Sequence, residues 1–236
     1  MLYIIGTGLN EKGISLEGKE AIKNSKEIYL ESYTVEFPYI LKNLEKSVGR
    51  KIIPLEREKT ESEFIVQKAK KENIVLLVYG CPLFATTHIS LVQDCKKNKT
   101  KYHIIYSASI FDAIGETGLQ LYKFGKISSM PQWQKNFTPD SFMDFVKENQ
   151  SINAHSLILI DIGLKFNDAL EQLKKASKNK KIKLDKIIVC SKLGTSKGKI
   201  FYDSISKLKN KKIANPFCII LPEKLHFLEE EFLKKL

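Results

Sequence analysis

Seven consecutive residues, Asn73-Ile-Val-Leu-Leu-Val-Tyr79, form an apolar, β-branched run closed by Gly80 and Pro82. The run is too short for a buried helix and carries no polar alternation, so it reads as a strand covered on both faces. A strand of that kind belongs in a parallel sheet flanked by helices, and this expectation constrains everything around it.

The neighbouring pattern agrees. Residues 2–6 are a short apolar run ending in Gly6, and Ser15 is placed to cap a helix reaching about residue 25, with Leu16 and Ile22 on its apolar side. Strands are expected over 27–31 and 51–55, with a helix over 39–48 between them. A helix over 61–71 puts Phe64, Ile65, Lys68 and Ala69 at helical spacing. A further helix over 89–97 leads to a strand over 102–106. The second half has another rhythm. Thr138-Pro139 starts a helix to about residue 149, residues 156–161 form a buried strand, and a helix covers 167–177. Strands over 186–191, 198–203 and 217–221 then follow at short intervals, which fits a mixed sheet, and a helix over 225–236 closes the chain. The expected fold class is α/β with two domains, 1–115 and 116–236, a parallel sheet in the first and a mixed sheet in the second.

Composition narrows the class without deciding it. In 236 residues the hydrophobic share of 43% suffices for packed cores, and no apolar run approaches the ~20 residues of a membrane span. The first residues lack a basic leader and a cleavage site, so a cytoplasmic protein without membrane contact is expected. Cys81, Cys95, Cys190 and Cys218 are widely spaced, as are His88, His103, His155 and His226, so neither a disulfide framework nor a metal site is expected. The net charge of +12 sits in lysine runs at 96–101, 174–183 and 207–212. No aromatic residues are interleaved with them, so they read as solvated surface able to meet an acidic partner, with no direct nucleic-acid substrate.

In open α/β sheets ligands bind beyond the carboxyl ends of the strands. Three such ends are small-residue loops: Gly6-Thr-Gly-Leu9, Gly80-Cys-Pro82 and Ser107-Ala-Ser109. The third glycine of a dinucleotide fingerprint is replaced by Glu11 and no P-loop lysine follows, which disfavours NAD and ATP. Taken singly, each loop reads equally well as a tight turn between strand and helix.

The wider blocks are more discriminating. Leu2-Tyr-Ile-Ile-Gly-Thr-Gly-Leu9, Gly80-Cys-Pro-Leu-Phe-Ala-Thr-Thr-His88, Ser107-Ala-Ser-Ile110, Gly118-Leu-Gln-Leu-Tyr-Lys-Phe-Gly125 and Lys224-Leu-His226 resemble the diphthine synthases of the tetrapyrrole-methylase superfamily. The resemblance runs from residue 2 to 232. It implies a two-domain fold, usually as a homodimer, with S-adenosylmethionine in the cleft between the domains and S-adenosylhomocysteine as product. It also implies an activity: repeated methylation of the amino group of the aminocarboxypropyl-histidine on translation elongation factor 2, giving diphthine. The family's cofactor contacts fall on Leu9, Cys81, Phe84, Ser109 and Ile110 in the first half, and on Ile160, Leu193 and Cys218 in the second. Two positions depart from the pattern: the family usually has Asp where this chain has Cys81, and often His where it has Cys218.

Methyl transfer from a sulfonium is an in-line displacement, so alignment supplies much of the rate. A mostly apolar set of contacts suits adenine and methionine burial. An amine acceptor can lose its proton to water, so no catalytic acid or base is assigned; His88, at a helix start, is the one tempting candidate. The alternatives are a related methyltransferase acting on rRNA or a corrinoid, and a cofactor-binding protein without catalysis.

Overall fold

The computed structural model describes residues 1–236, which divide into two compact units, Met1–Asp112 and Ala113–Leu236. In chain order the first unit contains β1 (Leu2–Gly6), α1 (Leu16–Lys23), β2 (Glu27–Glu31), α2 (Leu41–Val48), β3 (Ile53–Leu55), α3 (Arg57–Thr60), α4 (Phe64–Ala69), β4 (Ile74–Val78), α5 (Ile89–Lys97), β5 (Tyr102–Ile105) and the start of α6 (Ile110–Ala113). Its five strands are all parallel, in the order β3-β2-β4-β1-β5.

The apolar run that opens the sequence reading is β4, and all five of its residues are buried. Alternate residues serve opposite faces. Ile74, Leu76 and Val78 join Leu2, Ile4 and Tyr29 in packing against Ile65, Val66 and Ala69 of α4 and Leu91, Val92 and Cys95 of α5. Val75 and Leu77 join Ile5, Ile28 and Leu30 against Ala21 and Ile22 of α1 and Leu44 of α2. Each large side chain buried this way contributes on the order of 2 kcal/mol.

Ser15 caps α1 as expected, its Oγ accepting from the Gly18 N–H at 3.1 Å. Leu16 does not join the apolar side: it is 87% exposed, because it lies on the helix face opposite the buried Gly18, Ala21 and Ile22.

The second unit contains β6 (Ser128–Met130), α7 (Phe142–Ser151), β7 (Ser156–Ile160), α8 (Phe166–Asn179), β8 (Lys186–Ser191), β9 (Lys199–Ser204), α9 (Ile205–Leu208), β10 (Phe217–Leu221) and α10 (Phe227–Leu233). The sheet order is β6-β7-β10-β8-β9; only the β6–β7 pair is parallel, so the sheet is mixed. Ile158, Ile187, Val189, Phe217, Ile219 and Leu221 pack on α7, α8 and α9 through Val146, Leu170, Leu173 and Leu208. Thr138-Pro139 does not begin α7, which starts at Phe142. The indole N–H of Trp133 donates to the Pro139 carbonyl at 2.9 Å, which ties Pro139 into the preceding loop.

All four cysteines are buried free thiols, and no group of three or more His, Cys, Asp and Glu is arranged to hold a metal ion. No helix is long and apolar enough to cross a membrane.

Candidate functional site

Because the strands of the first unit are parallel, all its strand-end loops lie on one edge of the sheet. Over β4, β1 and β5 these are the three small-residue loops. Gly8 and Gly80 form a two-way backbone bridge, each N–H donating to the other's carbonyl at 3.2 and 3.1 Å. Gly6 is dictated by that closeness: a Cβ there would stand 2.5 Å from the Gly80 carbonyl oxygen and 2.9 Å from Pro82 Cδ. Leu9, Cys81 and Ser109 are buried, while Phe84 is 51% exposed and meets Phe111 edge-on at 5.5 Å. The Tyr79 hydroxyl donates to the Leu9 carbonyl at 3.2 Å, and burial pushes that phenol above its usual range.

The serine hydroxyls are already engaged. Ser107 Oγ donates to the Gly13 carbonyl (2.9 Å). Ser109 donates both its N–H and its Oγ–H to Asp112 Oδ2, at 2.6 and 2.9 Å, and its Oγ accepts from the Phe111 N–H. These side chains shape the loop, which leaves backbone groups and apolar surface to face a ligand. Leu9, Cys81, Ser109 and Ile110 thus stand on neighbouring loops of one edge, with Phe84 on the same loop as Cys81.

The second unit gathers its three positions as well. Ile160 ends β7, Leu193 follows β8, and Cys218 lies early in β10, which runs antiparallel to both. Cys218 is the register partner of Leu159 on one side and of Cys190 on the other. The neighbouring Cys218 thiol, together with burial, holds Cys190 well above the usual thiol range. Leu193 is buried between Lys192 and Gly194, both at positive φ.

Sequence reasoning singled out the 118–125 block without giving its role. It is a buried staple. The fully buried Glu229 accepts from the N–H of Gln120 (2.9 Å), from the N–H of His226 (2.7 Å), from His155 Nε2 (3.3 Å) and from Lys123 Nζ. His155 Nδ1 accepts from the Glu223 N–H at 2.9 Å, so its proton is on Nε2. Burial drives Glu229 upward, but these donors outweigh it and hold the carboxyl at about 2. Gly118 closes against α10: at φ +77°, an added Cβ would lie 2.5 Å from the Phe232 ring.

A second constellation went unseen in the sequence, apart from His88. It lies on the same edge of the first unit, over β3, β2 and β4. Glu31, fully buried at the end of β2, accepts from the N–H groups of Tyr33 and Thr34 at 2.7 Å each and from Thr34 Oγ1 at 2.7 Å. This fixes Tyr33, whose hydroxyl lies 3.3 Å from His88 Nε2 and 3.5 Å from Glu61 Oε1. Glu61 also accepts from Thr87 Oγ1 (2.9 Å) and Arg57 Nε (3.1 Å), and Thr87, ahead of Arg57, keeps it below the usual carboxylate range. The Arg57 guanidinium sits 5.8 Å from the Tyr33 ring centroid. Burial holds His88 below its ordinary value and lifts Tyr33 to about 12. These residues come from segments up to 57 positions apart, so no local motif announces them.

Glycine loops bridged at the carboxyl ends of a parallel sheet stand where open α/β proteins bind small molecules. The family model of tetrapyrrole (corrin/porphyrin) methylases matches residues 1–209, and the chain belongs to this family of methyltransferases. Within it the similarity is to diphthine synthases. The diphthine synthase of Methanococcus aeolicus is 36% identical over 251 aligned positions, covering 100% of this chain and 98% of the relative. The diphthine methyl ester synthase of Candida glabrata is 43% identical over 169 positions, covering 70% of this chain and 57% of that protein. A crystal structure of a diphthine synthase superposes with a TM-score of 0.90 at 30% identity, covering 99% of this chain and 94% of the other.

Proposed function

We propose that this chain transfers methyl groups from S-adenosylmethionine to the amino group of the aminocarboxypropyl-histidine of translation elongation factor 2, the diphthine-forming step of diphthamide biosynthesis. The observation that carries the reading is the end-to-end similarity to diphthine synthases, with the discriminating blocks falling on the strand-end loops and on the Glu229 staple. The work is done in the cytoplasm, by a homodimer of two-domain subunits with the domain boundary near Gly115.

The residues of the first unit suit the methyl donor. Phe84 offers an exposed ring beside Phe111, Ile110 adds half-buried apolar surface, and the Gly80 backbone is unshielded by any side chain of its own. Leu9, Cys81, Phe84, Ser109 and Ile110 are its contacts there, and Ile160, Leu193 and Cys218 those of the second unit. When bound, the donor supplies an electrophilic methyl on a sulfonium whose departure leaves a neutral thioether. The chain's task is to hold acceptor and methyl in line and to exclude water, which is where proximity yields rate. Cys81, a weak hydrogen-bond partner, replaces a carboxylate contact with a packing contact.

A second reading, methylation of the arm's carboxylate, is favoured by the 43% identity to a protein named for making a methyl ester. The test is incubation with methyl-labelled donor and elongation factor 2 with and without the aminocarboxypropyl arm. Label should enter the modified factor alone. Equal labelling of both forms, or of rRNA or a corrinoid only, overturns the assignment.

A further inference from the structure

Parallel β-topology puts two clusters of different chemistry on one edge of the first unit. Over β4, β1 and β5 the edge is small and apolar, and over β3, β2 and β4 it is charged. The loop over 80–88 belongs to both: it begins at the Gly8–Gly80 bridge, carries Cys81 and Phe84, and ends at Thr87 and His88. Leu83 and Ala85 within it have φ of 69° and 52°, a conformation that non-glycine residues hold only when their surroundings enforce it. The Thr87–Glu61 and His88–Tyr33 contacts supply that enforcement.

Three features show that the charged cluster is more than an anchor. Arg57 is 66% exposed and its pairing with Glu61 uses Nε, so its two terminal nitrogens make no hydrogen bond within the chain. That is the fork suited to bidentate capture of a carboxylate. Glu61 is one-third exposed and presents a carboxylate beside it. His88, 1% exposed, has an Nδ1 without a partner, and the buried Thr86 Oγ1 also lacks one. Buried polar atoms left unpaired are rare, and two of the four in this chain fall in this loop. A guanidinium fork and a carboxylate, side by side, match the two charges of an α-amino acid.

We propose that Arg57 and Glu61 form the acceptor subsite for an α-amino-acid arm: Arg57 takes the carboxylate, and Glu61 faces the amino nitrogen, whose neutral form attacks the methyl as the C–S bond breaks and which gives its proton to water after each transfer, with Tyr33, Thr87 and His88 as positioning residues. The proposal rests on the methyl-transfer reading above and names where the acceptor docks beside the apolar half of the edge. It also accounts for Glu31: a buried carboxylate spent on the Tyr33 and Thr34 backbone keeps the ring under the guanidinium in place.

The experiment measures steady-state methylation of arm-bearing elongation factor 2 by wild type, Arg57→Ala, Arg57→Lys and Glu61→Gln, together with S-adenosylmethionine binding by calorimetry. A charge-assisted contact of ~1.5–3 kcal/mol corresponds to a roughly ten- to hundredfold rise in KM for the factor in Arg57→Ala and Glu61→Gln, with donor affinity kept within about twofold. Arg57→Lys keeps the charge without the fork and should fall between. A free imidazole carrying the arm should inhibit wild type more strongly than the same molecule with hydrogen in place of its carboxylate, and Arg57→Ala should lose that preference. A merely structural role would not move the preference. If Arg57→Ala loses donor binding through misfolding, Arg57→Lys and Glu61→Gln decide. Wild-type turnover with unchanged KM in the folded variants overturns the subsite alone, whereas absence of wild-type turnover overturns the methyl-transfer reading and the subsite with it.

Discussion

Glu229 is the residue whose loss the second unit should feel most. Replacing it by Ala removes the acceptor of four donors: the N–H groups of Gln120 and His226, Nε2–H of His155, and the ammonium of Lys123. Lys123 keeps a bond to the Lys224 carbonyl at 2.8 Å and is partly exposed, so it is the least harmed. The other three donors are left in or near a fully buried cavity, each at ~1–3 kcal/mol before water enters. Allowing for that water, the net destabilisation is about 3–5 kcal/mol, the usual cost of removing one partner of a buried charged pair. At ~2–4 °C per kcal/mol for a chain of this size, the melting temperature should fall by roughly 10 °C. Glu229→Gln keeps the shape but turns an amide N–H₂ toward N–H donors, and should lose about half as much. Urea unfolding followed by near-ultraviolet dichroism and fluorescence gives both values. A Glu229→Ala protein within ~1 kcal/mol of wild type would mean that the staple does not hold α10 to the 118–125 segment.

Three further outcomes follow from the same structure. Gly6→Ala forces a Cβ to 2.5 Å from the Gly80 oxygen, so it should cost ~1–3 kcal/mol and weaken S-adenosylmethionine binding, with calorimetry and thermal melts as the check. Cys81→Asp restores the carboxylate usual in the family and should bind the donor as tightly as wild type or more so; a large loss of affinity would show that the loop is built around the thiol. Burial holds His88 and His155 below the ordinary histidine value of ~6.5, so folding selects their neutral forms. Their contribution is therefore fully present above pH ~6.5 and is lost as pH falls through the depressed folded values, whereas that of Glu229 is full above the ordinary value of 4.5 and is lost progressively as pH falls from there through about 2. Denaturation midpoints measured from pH 8 to 4 should fall below pH ~6.5, and His88→Gln should flatten part of that slope.

The legibility of this fold in its sequence depended on how local each signal was. The buried run of β4, the Ser15 cap and the whole of α5 carry their cause within a few residues, and all were readable. β6 was not: Ser128-Ser129-Met130 has little β-propensity, and its strand conformation comes from parallel pairing with β7. The start of α7 was misplaced because Thr138-Pro139 has the chemistry of a helix start, while the Trp133–Pro139 hydrogen bond claims it for the preceding loop. At the site, the glycine loops could be read because close backbone approach demands a particular residue. The Ser109 hydroxyl is committed to Asp112, a bond that the loop sequence alone does not announce. Arg57 and Glu61 are a local i,i+4 pair, but only the strand order brings Tyr33 and His88 to them, so the cluster as a whole has no signature in the linear chain.

The central claim is tested most directly by mass spectrometry of elongation factor 2 carrying the aminocarboxypropyl arm, after incubation with this protein and S-adenosylmethionine. The account predicts methyl-mass increments on the modified histidine that fragment from the arm's nitrogen and survive mild alkali, and none on a factor lacking the arm. Increments confined to an alkali-labile ester would shift the activity to the carboxylate, and no increment on the modified histidine, with donor bound, would contradict it outright.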